Sequence, residues 1–334
     1  MFKTLPPHSF AGSHDTGPAA QLPQWTYTFT YQNGNTYSDV FVGTDPTKPN
    51  PKTTIKVGII PIVMVYGPNN GNQTFDPRTP YFGNFSTVQM LKQSPIFLSE
   101  FDYVQGGTDL GKTQYVDAYQ RGNLWEAVQI NKGYHIILQP IVAPVQTFNV
   151  PTNEGKVMPN PWSGIPVGTA DINWFDTQLQ SVLQKYQGQI TPDILPLFIT
   201  YNVYLTEGTC CVGGYHTATR GAPDGQTYAY STSMSQAAVP VFSQDVGALS
   251  HEIGEWVLDP FTTNTSPCGI MENGDPLESE ANFGDFPYTI QGFTFHPQDL
   301  VFLDYFGAPV IQVNGWHTFQ NETNANGVCS RGSN

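Results

Sequence analysis

The stretch at 249–260, Leu-Ser-His-Glu-Ile-Gly-Glu-Trp-Val-Leu-Asp-Pro, constrains this chain more than any other, because it joins helical periodicity to three closely spaced ionisable side chains. Val246, Leu249, Ile253, Trp256 and Val257 recur at helical intervals and form an apolar stripe. Ser243 is the expected N-cap, Asp245 falls in the first turn where the macrodipole favours an anion, and Pro260 ends the run. On such a helix His251 and Glu255 stand four apart and project from one face within reach of a common cation, with Glu252 beside the first of them placed to polarise a water. The same pentapeptide also occurs on solvated helix faces, so a metal reading requires a further donor.

That donor is expected downstream, where Cys-Gly-Ile-Met-Glu-Asn-Gly-Asp-Pro-Leu at 268–277 offers Glu272 and Asp275. With these residues the chain resembles the gluzincin metallopeptidases. The resemblance implies a zincin-like α+β fold, zinc as cofactor, His251, Glu255 and Glu272 as ligands, Glu252 as general base and Asp275 as the group that orients His251. Asp259, a turn beyond Glu255, and His296 are alternative ligands. The run 249–277 is also similar to secreted proteins of the plant exordium, or phosphate-induced, type and to related uncharacterised bacterial secreted proteins, with a looser similarity over 25–316; for these a peptidase role is implied by the motif alone. The departure from the peptidase pattern is Glu255 in place of a second His. One imidazole and two carboxylates bring two negative charges to a dication, which weakens it as a Lewis acid and admits Ca2+ or Mn2+ more readily.

With 13 Lys plus Arg against 27 Asp plus Glu, the formal charge of −14 opposes binding to nucleic acid. Charged residues make up only 12 % of the chain, a balance that points to a loop-rich and strand-rich secreted protein. No run has the length of a transmembrane helix, and 1–24 lacks the basic start and apolar core of a signal peptide, so a leader is expected to have been removed or export to be non-classical. The expected partner is a peptide or protein substrate, or a surface partner if the metal is only structural. Four cysteines, Cys210, Cys211, Cys268 and Cys329, are disulfide candidates, and because neighbours seldom bond to one another, bridges from Cys210 and Cys211 to Cys268 and Cys329 are favoured.

In chain order, 1–24 reads as a flexible arm, 25–165 as a β-rich part, 166–320 as the zincin-like metal-site part and 321–334 as a tail, with 25–320 able to form one compact unit. Alternation over 25–31 and the turn Gln-Asn-Gly-Asn predict a hairpin into 36–42. The β-branched run 55–66, interrupted by Pro61, predicts a buried strand. Periodicity predicts helices over 113–128 and 171–186, the second capped by Asp171, and a helix entered at Pro297. The segments 213–216 and 226–231 are expected as edge strands to which a peptide could add, with Tyr215 and His216 as catalytic candidates that would stabilise an oxyanion.

Overall fold

The computed structural model describes residues 3–4, 20–105, 108–160, 163–235, 244–278, 287–310 and 317–320. At its centre lies a mixed sheet whose strands run, in spatial order, Lys3–Thr4, Gly214–Ala218, Thr227–Ser233, Ile194–Tyr201, Lys52–Tyr66 and His135–Val142. The last four are parallel to one another, whereas Gly214–Ala218 is antiparallel to Thr227–Ser233.

Period-two side-chain alternation divides this sheet between two cores. Along the long strand Ile55, Val57 and Ile59 enter one core, and Ile60, Ile62 and Met64 enter the other. A strand buried on both faces must be apolar throughout, which is why 55–66 shows no polar positions in its second half. Pro61 has no N–H to donate, and the row alongside it is interrupted there: His135–Val142 pairs as far as Ile59, and Gln146–Val150 resumes at Ile62.

Helices cover both faces. On one, Ile172–Lys185 begins at Asp171, whose carboxylate accepts from the Asn173 and Trp174 amides at 2.9 and 3.0 Å, as its sequence predicts. Phe175, Leu179 and Val182 of this helix pack with Tyr215, Tyr228 and Tyr230 of the sheet. On the other face lie Tyr115–Asn123 and Gly247–Leu258, whose Tyr115, Tyr119, Leu249, Ile253 and Trp256 share a core with Leu197, Ala229 and Phe302. The chain thus has mixed helix and strand content with a β-rich first part, and the sheet crosses the boundary expected at 165, since Lys52–Tyr66 pairs with Ile194–Tyr201.

Several local expectations are corrected. The central helix starts at Gly247, because Asp245 adopts a positive φ of 38° and spends its carboxylate on the Val246 amide and on His296; Ser243 lies outside the described residues. Among the described residues no long helix follows Pro297: Tyr288–Ile290 and Phe293–Phe295 form a hairpin, and Leu303–Phe306 is a single 3-10 turn. Lys3–Thr4, expected in a flexible arm, pairs in parallel with Tyr215 and His216. Gly214–Ala218 therefore has a partner on each side, and Thr227–Ser233 is an interior strand. Cys210 and Cys211 bond to each other, the cis peptide between them bringing their Cα atoms to 3.1 Å; Cys268 is also disulfide-bonded, and Cys329 lies outside the described residues. Among the described residues no helix is long and apolar enough to cross a membrane.

The hairpin Gln24–Thr30/Thr36–Val42 is tied to the end of the central helix through Asn264, which donates to the Val40 and Leu258 carbonyls, and through Asp39, which accepts from the Thr265 amide at 3.0 Å. The other Asp39 oxygen is buried without a hydrogen bond, and burial pushes the carboxyl up to about 6. Because that exceeds the roughly 3.9 of an unfolded chain, the native state retains its proton between the two values. This contribution to stability is therefore full below about pH 4 and is lost as pH rises through about 6. Asp39→Asn is expected to flatten the decline by up to about 3 kcal/mol in urea titrations at pH 4, 6 and 8; an unchanged slope would refute the assignment.

Candidate metal centre

Six ionisable side chains converge where the central helix passes beneath the outer end of the sheet. His251, Glu252 and Glu255 come from the helix, His216 from the antiparallel strand, and Glu272 and Asp275 from the loop that follows the helix. His216, His251 and Glu252 are fully buried, Glu255 and Glu272 nearly so, and only Asp275, with 54 % of its side chain exposed, reaches the surface.

The contacts fall into two groups with Glu255 in common. In one, His251 Nε2 lies 2.9 Å from Glu255 Oε1 and 3.6 Å from Asp275 Oδ1. In the other, His216 Nδ1 lies 3.1 Å from Glu252 Oε2 and 3.8 Å from Glu255 Oε2. Each group brings its donor atoms within 4.8 Å of one another, close enough to hold a metal ion. Glu272 is hydrogen-bonded to Glu255 and lies 3.9 Å from His216 Nε2.

The backs of the two imidazoles fix their tautomers. Gln298 donates its amide N–H to the Gly274 carbonyl at 2.8 Å, so its oxygen is the atom that faces His251 Nδ1 at 2.7 Å. Nδ1 must then be the donor, and the lone pair of His251 is on Nε2, facing carboxylates. Gln298 is itself held by its backbone amide, which donates to Ser250 Oγ at 2.8 Å, and by its carbonyl, which accepts from Tyr115 Oη at 2.5 Å. His216 shows the same arrangement reversed: Nε2 lies 3.1 Å from the Asp259 carbonyl and must donate, which leaves the Nδ1 lone pair toward Glu252. A lone pair directed at an ionised carboxylate is repulsive, so each contact calls for a cation or a proton between the two atoms. Imidazoles that ligate metals are held from behind in this way.

The electrostatics agree. Burial pushes His216 down to about 3 and also lowers His251, so both rings are neutral near pH 7. Burial raises Glu252 far above the usual carboxylate range, with Glu255 and Glu272 adding repulsion, and burial likewise raises Glu255, with Asp275 adding to it. Among the described residues these side chains face one another and no Lys or Arg, and a bound cation would let the carboxylates ionise.

Other expected site residues lie elsewhere. The Tyr215 side chain points to the opposite face of the sheet from His216, and its hydroxyl donates to Asp176 at 2.8 Å. His296 pairs with Asp245 at 2.7 Å. The Asp259 carboxylate accepts from the Thr263 and Asn264 amides, and only its carbonyl touches the centre, through His216. The group behind His251 is Gln298, and Asp275 stands on the Nε2 side of the ring.

Two glycines also belong to the centre. A Cβ on Gly274 would lie 2.4 Å from His251 Nδ1, and one on Gly214 would lie 2.7 Å from Glu252 Oε1. Gly274 has helical backbone angles that alanine adopts freely, so the cost of Gly274→Ala is steric alone. It is expected to dislodge His251 from Gln298, lowering metal affinity about 10- to 100-fold and stability by about 1–3 kcal/mol, read by metal titration and urea unfolding; unchanged affinity would show that His251 is no ligand. The paired glycines before His216 were the only sequence signal of such close backbone approach, and nothing near Gln298 marked it.

No family model, curated protein or solved structure matches the chain.

Proposed function

We propose that the protein is a zincin-like, metal-dependent hydrolase of peptide bonds that acts outside the cell. The observation that supports this most is the back-bonded His251, whose Nε2 faces Glu255 from the same helix while Glu252, the next residue, lies beside the pair. His251 and Glu255 would hold the cation, expected to be zinc, with Asp275 or Glu272 completing the set. When bound, the cation supplies polarisation of the scissile carbonyl and acidification of a water. The residues of the chain do the rest. Glu252 Oε1, buried and without a hydrogen-bond partner, accepts the proton of the water and returns it to the leaving amine.

Glu252→Gln tests this directly. Metal content is expected to remain, and hydrolysis of a mixed peptide library at pH 7–9 to fall about 10²- to 10⁴-fold. A wild-type protein that binds metal but cleaves no peptide would instead support a non-catalytic surface protein with a structural Zn2+ or Ca2+, a reading favoured by the near-complete burial of every donor except Asp275.

A further inference from the structure

We infer that the outer edge of Gly214–Ala218 is a docking site for an extended peptide running parallel to that strand, and that the chain keeps it occupied with its own residues Lys3–Thr4. This rests on the peptidase reading above and adds its regulation: the amino-terminal segment competes with the substrate from within the molecule.

The pairing carries the inference. Lys3 lies against Tyr215 and Thr4 against His216, in parallel register, and this two-residue strand is the outermost of the sheet. Gly214–Ala218 is held on its other side by Thr227–Ser233. Lys3–Thr4 therefore takes up the one remaining row of N–H and C=O groups on the strand that delivers His216 to the cluster. Such a row accepts any extended backbone of matching direction, because main-chain groups supply the bonds. The amino-terminal charge, two residues before Lys3, acts on both His251 and Asp275, and Asp275 is the member of the cluster whose side chain reaches solvent. The segment that fills the edge thus also bears on the exposed side of the centre.

The two edges of the sheet are closed in different ways. On the far strand, His135–Val142, two buried side chains seal the outward groups: Asp117 accepts from the Ile136 amide at 2.6 Å and Gln114 from the Leu138 amide at 2.7 Å. Pro140, the next position in that row, has no amide to offer. That edge is closed by packed residues and takes no further strand. At the His216 edge the closure is backbone pairing over two residues, and so short a strand returns little beyond the entropy of ordering it. It is held weakly enough for a substrate to displace it.

The test compares the full-length wild type with Lys3→Pro/Thr4→Pro, in which neither residue can donate to the strand. The probe is the peptide Met-Phe-Lys-Thr-Leu-Pro-Pro-His, identical to residues 1–8 and labelled with fluorescein at its carboxyl end, read by anisotropy. The variant is expected to bind it at least about 10-fold more tightly, since an edge occupied nine-tenths of the time lowers apparent affinity by that factor, and to cleave a mixed peptide library faster by a similar factor. Equal affinity in the two proteins, or no binding by either, would overturn the inference; if both then cleave the library at equal rates, the peptidase reading stands without it. Tighter binding by the variant with no cleavage by either protein would support the docking edge and overturn the peptidase reading. A second measurement needs no variant. Successive amides of a strand point to opposite sides, so amide-resolved hydrogen exchange of the wild type is expected to show consecutive protection through 215–217. Free exchange of alternate amides there would overturn the occupation of the edge even if the proline variant misfolds.

Discussion

Glu255→Ala is expected to empty the centre. Its two oxygens face His251 and His216, it hydrogen-bonds Glu272, and it accepts the Gly274 amide at 3.1 Å, so it is the one carboxylate that faces both imidazoles by way of separate oxygens among the described contacts. A four-donor zinc site is worth about 10–16 kcal/mol, and losing one donor therefore costs roughly 3–4 kcal/mol, or about 10²- to 10³-fold in affinity. The loss should exceed that for Asp275→Ala, because the Asp275 side chain is 54 % exposed and faces His251 at 3.6 Å rather than 2.9 Å. Without added metal the sign reverses. A buried carboxyl that must hold a proton contributes nothing favourable, and its removal should leave the metal-free protein no less stable, apart from the small cavity. Competition against a chromophoric chelator gives the affinities and urea unfolding in chelator gives the stabilities; equal metal affinity in wild type and variant would remove Glu255 from the donor set.

Trp256→Ala should produce the largest loss of fold stability, about 3–5 kcal/mol. Its indole is fully buried between the central helix and the sheet, and its Nε1 donates to Thr227 Oγ1 at 3.0 Å, on the strand that carries the pairing partners of His216. Thr227→Val removes the acceptor while keeping the volume and should cost about 1 kcal/mol, so the difference between the variants measures packing. Both should shift the urea midpoint without changing the slope. A Trp256→Ala loss under 1 kcal/mol would mean that the helix is held by its other contacts.

How much of this was legible beforehand follows from the range of the signals. The helix at 249–258, Asp171 as a cap and the hairpin at 24–42 are local patterns, written in intervals of four residues or fewer or in a turn dipeptide, and each appears in the structure. His251, Glu252 and Glu255 belong to this class, because a helix alone sets their spacing. Gln298 does not. It lies 47 residues beyond His251 and acquires its place only when the loop after the central helix folds back, so its surroundings carry no periodicity that could announce it. His216 was noticed for its chemistry, but its place in the cluster depends on strand pairing with Ala229, which the sequence leaves unspecified. Cys210 and Cys211 show the converse failure, since the expectation that neighbours do not bond to one another is not met.

The buried Asp176 has a consequence that reaches the opposite face of the sheet. It accepts from both Tyr215 and Tyr228, at 2.8 and 2.7 Å, on strands that run antiparallel, and so clamps two neighbouring strands to one helix. Adjacent residues of a strand face opposite ways, so a slip of a single residue would turn His216 into that tyrosine pocket and send a phenol toward Glu252. Asp176 therefore acts as a register key. A residue that never meets the cluster decides whether an imidazole arrives there at all, and changes at this remote carboxylate would be inherited by the chemistry on the far side as a change of ligand.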